Sequence, residues 1–322
     1  MAALRSAAVL GARVRYWRTG TDHPECLVLL HGLGADHRGL AEMAGMIRGY
    51  DIVALDLPGF GRSEPLPRRY TMEAYSDAVE ELRVHLGRER LHLTGHSMGA
   101  NIALVYAARY GASLQSLCLL NPVWQVEGAA TALARVYYEI GARLPRPLDR
   151  LWLASRAAVY IGDMLTFTIK DRARRRRILD RDYVNMRRAD LRAIKQSYLS
   201  YLDTPWEAYA ARITARTLIV TGSRDLVARP STVRRLQEGI SGSVSMVLQD
   251  AGHLLPTELP VRVGALVNRF LAGTPVRRTV GRQAAGSRHR APTTRTVEAT
   301  PGRGRPPVST GSPARSPSSS YR

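Results

Sequence analysis

Ser97 lies in the stretch TGHSMGAN, residues 94–101, with a glycine two positions to either side, a short apolar run before it and the helically spaced run NIALVYAARYG after it. A strand that turns abruptly into a helix strains the residue at the bend and projects its side chain outward. Small neighbours relieve the crowding, and the pattern G-x-S-x-G is the nucleophile elbow. The chemistry it suits is acyl transfer. Such a turn exposes the hydroxyl at the carboxyl end of a sheet beside a helix N-terminus, where the N–H of Met98 can point at a developing oxyanion. A serine hydroxyl also needs a base within hydrogen-bond reach and a third group that holds the base in the right tautomer. His253, in QDAGHLLPTELP, follows directly on the last strand pattern, and Asp225, in LIVTGSRDLVARP, follows the one before it. All three residues therefore fall on one edge of the sheet.

The elements that must build that edge are legible as short apolar runs at 26–32, 51–59, 91–95, 114–122, 217–222 and 243–250, with a hairpin of two further strands across 7–20. Helical patterns at 71–87, 101–111, 231–240 and 260–272 alternate with them. The alternation predicts an α/β fold, with a mostly parallel central sheet flanked by helices on both faces. Between Asn121 and Thr217 no strand pattern occurs, and such an interval is too long for a loop. Helical stretches at 129–144, 150–169 and 182–202 fill it. The expected organisation is a core in two parts, 1–122 and 211–274, interrupted by a helical insertion at 123–210 and followed by a tail at 275–322. Trp124, Tyr137, Tyr138, Trp152, Tyr160, Met164 and Phe167 lie in or beside the insertion. At helical spacing such residues usually pack a core, so only a minority of them are expected to line a substrate pocket.

Four segments together resemble the α/β-hydrolase family over about residues 10–273: HGLG after the third strand, DLPGFGRSE after the fourth, GHSMG at the elbow, and the pair GSRD and GHLLPTELP near the end. The order Ser97, Asp225, His253 is that family's order, and the helical insertion lies where the family often carries a lid. The resemblance implies Ser97 as nucleophile, His253 as general base and then acid, Asp225 as the orienting carboxylate, and the backbone N–H groups of Leu33 and Met98 as the oxyanion hole. Asp250 and Glu127 are rival acids, with Asp225 preferred. His31 is expected to brace the oxyanion loop and His96 to pack beside the nucleophile, while Asp56, Gly59, Gly61 and Ser63 fix a turn. Serine at the elbow argues against the epoxide hydrolases and haloalkane dehalogenases, which carry aspartate there. Leu254 stands where carbon–carbon bond hydrolases of ring-cleavage products typically carry tryptophan, which lowers that alternative. The favoured activity is hydrolysis of a carboxylic ester, a lipophilic one given the aromatic insertion. A hydrolase-shaped scaffold that only binds a ligand is the remaining alternative.

Composition bounds the partners. Of the net charge of +20, the tail from Pro275 holds ten Arg against one Glu, leaving +11 for the rest. Lys170 and Lys195 are the only lysines, so the basicity reflects a chain-wide use of arginine. Specific nucleic-acid binding is not expected. The run RARRRR in the insertion and the Arg-rich tail could hold an anionic surface, although Asp171, Asp180 and Asp182 interleave with the former. The tail is too poor in apolar residues to offset the entropy of ordering and is expected to be disordered. No metal-ligand spacing and no phosphate-binding loop occur, so no cofactor is expected. Cys26 and Cys118 sit in separate apolar runs, which favours free thiols in a reducing compartment. Arg5, Arg13 and Arg15 break up the N-terminal stretch against a signal peptide or membrane span, and a soluble cytoplasmic protein is the expectation.

Overall fold

A computed structural model describes residues 3–21, 23–124, 129–145, 147–166 and 168–274. The tail expected to be disordered, Glu127 and Phe167 lie outside these residues, as does the Met164 side chain.

Eight strands form one sheet: β1 (Ala3–Val9), β2 (Ala12–Thr19), β3 (Cys26–Leu30), β4 (Asp51–Asp56), β5 (Leu91–His96), β6 (Leu114–Leu120), β7 (Arg216–Gly222) and β8 (Val244–Leu248), in the spatial order β1-β2-β4-β3-β5-β6-β7-β8. β1 and β2 are an antiparallel hairpin, and β2 runs antiparallel to β4. From β4 to β8 every pairing is parallel. Parallel strands covered on both faces read as continuous apolar runs, and β3, CLVLL, is buried at every position. Its alternate residues serve two cores. Val28 and Leu30 face one cluster, Leu27 and Leu29 the other.

Helices close both faces. α1 (Arg38–Ala44) follows β3, α2 (Met72–His85) follows β4, and α3 (Met98–Arg109) follows β5. Between β6 and β7 come α4 (Ala129–Arg143), α5 (Leu148–Leu153), α6 (Arg156–Thr166), α7 (Arg172–Arg188), α8 (Leu191–Asp203) and α9 (Trp206–Ala210). α10 (Pro230–Gly239) follows β7, and α11 (Leu255–Glu258) and α12 (Pro260–Leu271) follow β8. Leu82, Ala103 and Val233 bring α2, α3 and α10 onto the Val28 face. Met43, Leu255 and Val267 bring α1, α11 and α12 onto the Leu27 face.

Two helical stretches are broken where the apolar spacing runs on. The 182–202 pattern divides at Ala189 and Asp190, because the Asp190 N–H donates to Gly59 O at 2.9 Å and its carboxylate caps α8 by accepting the Arg192 N–H at 3.0 Å. A side-chain oxygen at this position satisfies an amide that the first turn leaves free. Likewise 150–169 divides at Ala154 between α5 and α6. The RARRRR run forms the first turns of α7, capped by Asp171 through the Arg174 N–H at 2.9 Å.

Several of the aromatics in and beside the insertion pack on one another. Tyr137 stacks on Trp152 at 5.7 Å and Tyr138 on Tyr198 at 4.7 Å, tying α4 to α5 and α8, while Trp124 is buried in the Val28-side core. Cys26 and Cys118 are free, and burial pushes both thiols up to about 12.

Candidate active site

β5 ends at His96, and Ser97 turns the chain into α3 with φ 53° and ψ −120°, a backbone that an L residue rarely adopts. Steric room dictates the two flanking glycines. A Cβ on Gly95 would lie 2.1 Å from Gly99 O, and one on Gly99 would lie 2.4 Å from Leu30 O in β3. α3 therefore starts at Met98, earlier than its apolar spacing announces, and the Ala100 and Asn101 N–H groups close on Ser97 O at 2.9 and 3.1 Å.

The loops after β7 and β8 bring Asp225 and His253 to this turn. His253 Nε2 stands 2.9 Å from Ser97 Oγ, and His253 Nδ1 stands 2.8 Å from Asp225 Oδ2. An ionised carboxylate only accepts, so Nδ1 carries the hydrogen and Nε2 is left to accept from the serine. Asp225 Oδ1 takes the N–H groups of Val227 and Ala228, each at 2.8 Å, and Oδ2 also takes Asn121 Nδ2. Burial by itself would push this carboxyl up. The charge of His253, with the hydrogen bonds from His253, Ala228 and Asn121, outweighs that and holds it below the usual carboxylate range. Asp225 and His253 are buried and Ser97 is partly exposed, so the Ser97 hydroxyl is the accessible end of the three. Asp250 instead pairs with Arg224 in an exposed position.

Gly32 packs against the elbow, since a Cβ on it would lie 3.2 Å from Ser97 Cβ. The next residue is Leu33. Among the described residues neither the Leu33 nor the Met98 N–H has a protein acceptor, which leaves both able to donate to a ligand oxygen. His31 donates from Nδ1 to Gly32 O at 2.8 Å and accepts the Leu57 N–H on Nε2 at 3.0 Å. Both ring nitrogens are thus spent on holding two loops, and burial lowers the pKa. In DLPGFGRSE, Asp56 accepts the Arg62 N–H at 2.9 Å, and a Cβ on Gly61 (φ 57°) would overlap its carboxylate. These residues fix the turn.

His96 Nε2 donates to His253 O at 2.8 Å, and burial, with the nearby His253, lowers its pKa to about 3. A histidine in an unfolded chain takes its proton near 6.5, so between these limits the unfolded state holds more protons and stability falls as pH falls. The slope approaches about 1.4 kcal/mol per pH unit. His96→Gln, which keeps a donor for the carbonyl, is expected to flatten the acid limb of a plot of Tm against pH. An unchanged slope would mean that His96 titrates as in free solution.

Four further contributors are not announced by the sequence, although Glu258 lies within GHLLPTELP. Asn121, with φ 47°, reaches Asp225 from the end of β6. Glu258 in α11 accepts the Gly252 N–H at 2.9 Å and the Leu254 N–H at 3.2 Å, clamping the backbone on both sides of His253. Thr166, at the end of α6, accepts the His253 N–H itself at 3.1 Å, and Thr168 donates to Glu258. Glu258→Ala leaves two amides without acceptors and frees the imidazole to drift. A misplacement of about 1 Å is worth about a hundredfold, so turnover is expected to drop by that order with substrate KM little changed, measured by steady-state kinetics.

Among the described residues no group of three or more His, Cys, Asp or Glu side chains could hold a metal ion, and no helix is long and apolar enough to cross a membrane. Residues 25–258 match the alpha/beta hydrolase fold family. The chain is 26% identical over 252 residues to Lipase 1 of Psychrobacter immobilis, covering 76% of each chain. It is 24% identical over 263 residues to the 2-hydroxy-6-oxononadienedioate/2-hydroxy-6-oxononatrienedioate hydrolase of Escherichia coli (strain K12), covering 77% of this chain and 87% of that one. The crystal structure of a membrane phospholipase A, a bacterial virulence factor, superposes with a TM-score of 0.71 at 25% identity over 84% of this chain and 86% of that one. With the eight-stranded sheet and the serine at its strand-to-helix turn, these likenesses establish that the chain belongs to the α/β-hydrolase family.

Proposed function

We propose that this α/β-hydrolase cleaves a carboxylic ester through an acyl-enzyme on Ser97. The observation that carries the proposal is the unbroken relay from Ser97 Oγ to His253 at 2.9 Å and from His253 to Asp225 at 2.8 Å. Ser97 Oγ attacks the ester carbonyl carbon while its proton passes to His253 Nε2, and Asp225 stabilises the resulting imidazolium. The carbonyl oxygen becomes an oxyanion facing the Met98 and Leu33 N–H groups. As the tetrahedral intermediate collapses, His253 returns the proton to the alcohol and the acyl group stays on Ser97. Water then attacks the acyl carbon with His253 again as base, releasing the acid.

The likeness to Lipase 1 of Psychrobacter immobilis supports an ester substrate. Support for a lipophilic one comes from the helices between β6 and β7, read as a lid, where Leu133, Val136, Leu148, Leu151, Trp152 and Ile161 expose apolar surface. Buried free thiols suit a cytoplasmic setting. A relative named as a hydrolase of 2-hydroxy-6-oxononadienedioate keeps carbon–carbon bond cleavage as the second reading, with Leu254 in place of tryptophan against it.

The test is labelling with a fluorophosphonate, followed by p-nitrophenyl esters of increasing acyl length. Labelling that requires His253, with turnover rising toward longer chains, is the expected result. Absence of labelling in the folded protein would overturn the hydrolase reading, and equal turnover of short polar esters would overturn the lipophilic one.

A further inference from the structure

Away from the Ser97 turn, a cavity of about 230 Å³ is lined by Leu4 and Trp17 of the first hairpin, Asp36 to Arg38 before and at the start of α1, Gly61 and Arg62 of the turn after β4, and Asn185 and Arg188 of α7. Three arginines, Arg38, Arg62 and Arg188, thus line one small space. The carboxylates nearby are already paired, Asp36 of the lining itself with Arg38. Asp36 accepts the Arg38 N–H at 3.0 Å and Arg38 Nε at 2.8 Å. Asp56 takes the backbone and ring N–H groups of His37, both at 2.9 Å, and the Arg62 N–H. Asp182 pairs with Arg181 at 2.7 Å. Among the described residues no carboxylate pairs with Arg62 or Arg188, and the Arg62 guanidinium rests 5.9 Å from the centre of the Trp17 ring.

Asn185 supplies a second, independent observation. It is 2% exposed, and its Oδ1 accepts from Arg38 Nη2 at 2.7 Å, which leaves Nδ2 as a buried donor with no partner among the described residues. Buried amide donors in native structures nearly always have an acceptor. An unpaired amide donor beside two arginines without carboxylates calls for a ligand that only accepts, carries negative charge and offers several oxygens. Arginine forks match phosphate oxygens two at a time. The volume falls below the range for drug-sized ligands, which suits a phosphoryl group with a small substituent better than a nucleotide.

We propose that this cavity is a binding site for a phosphate group, as free phosphate or as the headgroup of a phosphomonoester lipid. Bound there, the anion would join Arg38 and Arg62 of the core to Asn185 and Arg188 of α7. One residue along α7, Met186 packs on Gly34, where a Cβ would lie 2.6 Å from its Cε. The clamp would thus fix α7 against the loop that carries Leu33.

The test is the Tm of the full chain titrated with inorganic phosphate, using sodium chloride at matched ionic strength as control. Saturating phosphate is expected to raise Tm by about 4 °C. The Arg62→Gln/Arg188→Gln variant should lose the rise, and Arg176→Gln/Arg177→Gln, in the exposed run of the same helix, should keep it. Co-sedimentation with phosphatidylcholine vesicles, with and without phosphatidic acid, distinguishes the sources. Pelleting that needs phosphatidic acid and both Arg62 and Arg188 assigns the headgroup, and a phosphate-dependent Tm without pelleting assigns the free anion. No rise and no pelleting, or effects lost equally in both double variants, would overturn the site.

Discussion

Ser97→Gly is expected to abolish ester turnover and to leave a protein more stable than Ser97→Ala. By the proposed mechanism either change removes the attacking oxygen, and loss of such a nucleophile costs about a millionfold in turnover. The two differ in the backbone. At φ 53° and ψ −120° a residue with a Cβ stores about 1–3 kcal/mol of strain, which alanine keeps and glycine relieves. Glycine's greater freedom in the unfolded chain takes back up to about 1 kcal/mol. The balance is a Tm for Ser97→Gly about 2 °C or more above that of Ser97→Ala. A glycine variant that melts below the alanine variant would mean that the elbow is not strained.

Asp225→Asn is expected to cost about ten-thousandfold in turnover while the fold survives. The reason lies in the partners of each oxygen. Oδ1 is held by the Val227 and Ala228 N–H groups, so an amide at this position must put its oxygen there. Its NH₂ then faces His253 Nδ1 and Asn121 Nδ2. Against an NH₂ donor, His253 Nδ1 can only accept, which moves the ring proton to Nε2 and leaves no lone pair for the Ser97 hydroxyl. Asp250→Asn, which disturbs only the pair with Arg224, should leave turnover unchanged. Steady-state kinetics on an activated ester measures both, and a larger loss at position 250 would reverse the assignment.

Ser97, Asp225 and His253 were legible because each follows a strand pattern, and parallel strands deliver the residues after them to one edge. The interior of the sheet was legible because strands buried on both faces read as apolar runs, as β3 and β7 do. Asn121 and Glu258 were not. Their roles depend on which backbone lies opposite after folding, and neither an asparagine at a strand end nor a glutamate in a four-residue helix announces that. The breaks in the helices between β6 and β7 were also hidden, although Asp190 before Leu191 is a capping signal. The apolar spacing continues through it, and the bond from its N–H to Gly59 O is a tertiary event. α1 and α11 are too short for periodicity to register.

The bonds between segment 166–174 and segment 252–258 bear on how such chains can diversify. Thr166 O holds the His253 N–H, Thr168 holds Glu258, and Arg174 donates to Thr257 O at 2.7 Å. The helices between β6 and β7 and the turn that carries His253 therefore share bonds, and those helices are not a cassette that recombination can exchange freely. Chimaeras that inherit both segments from one parent should keep the imidazole in register, whereas a crossover that splits them would import a new cover together with a displaced histidine.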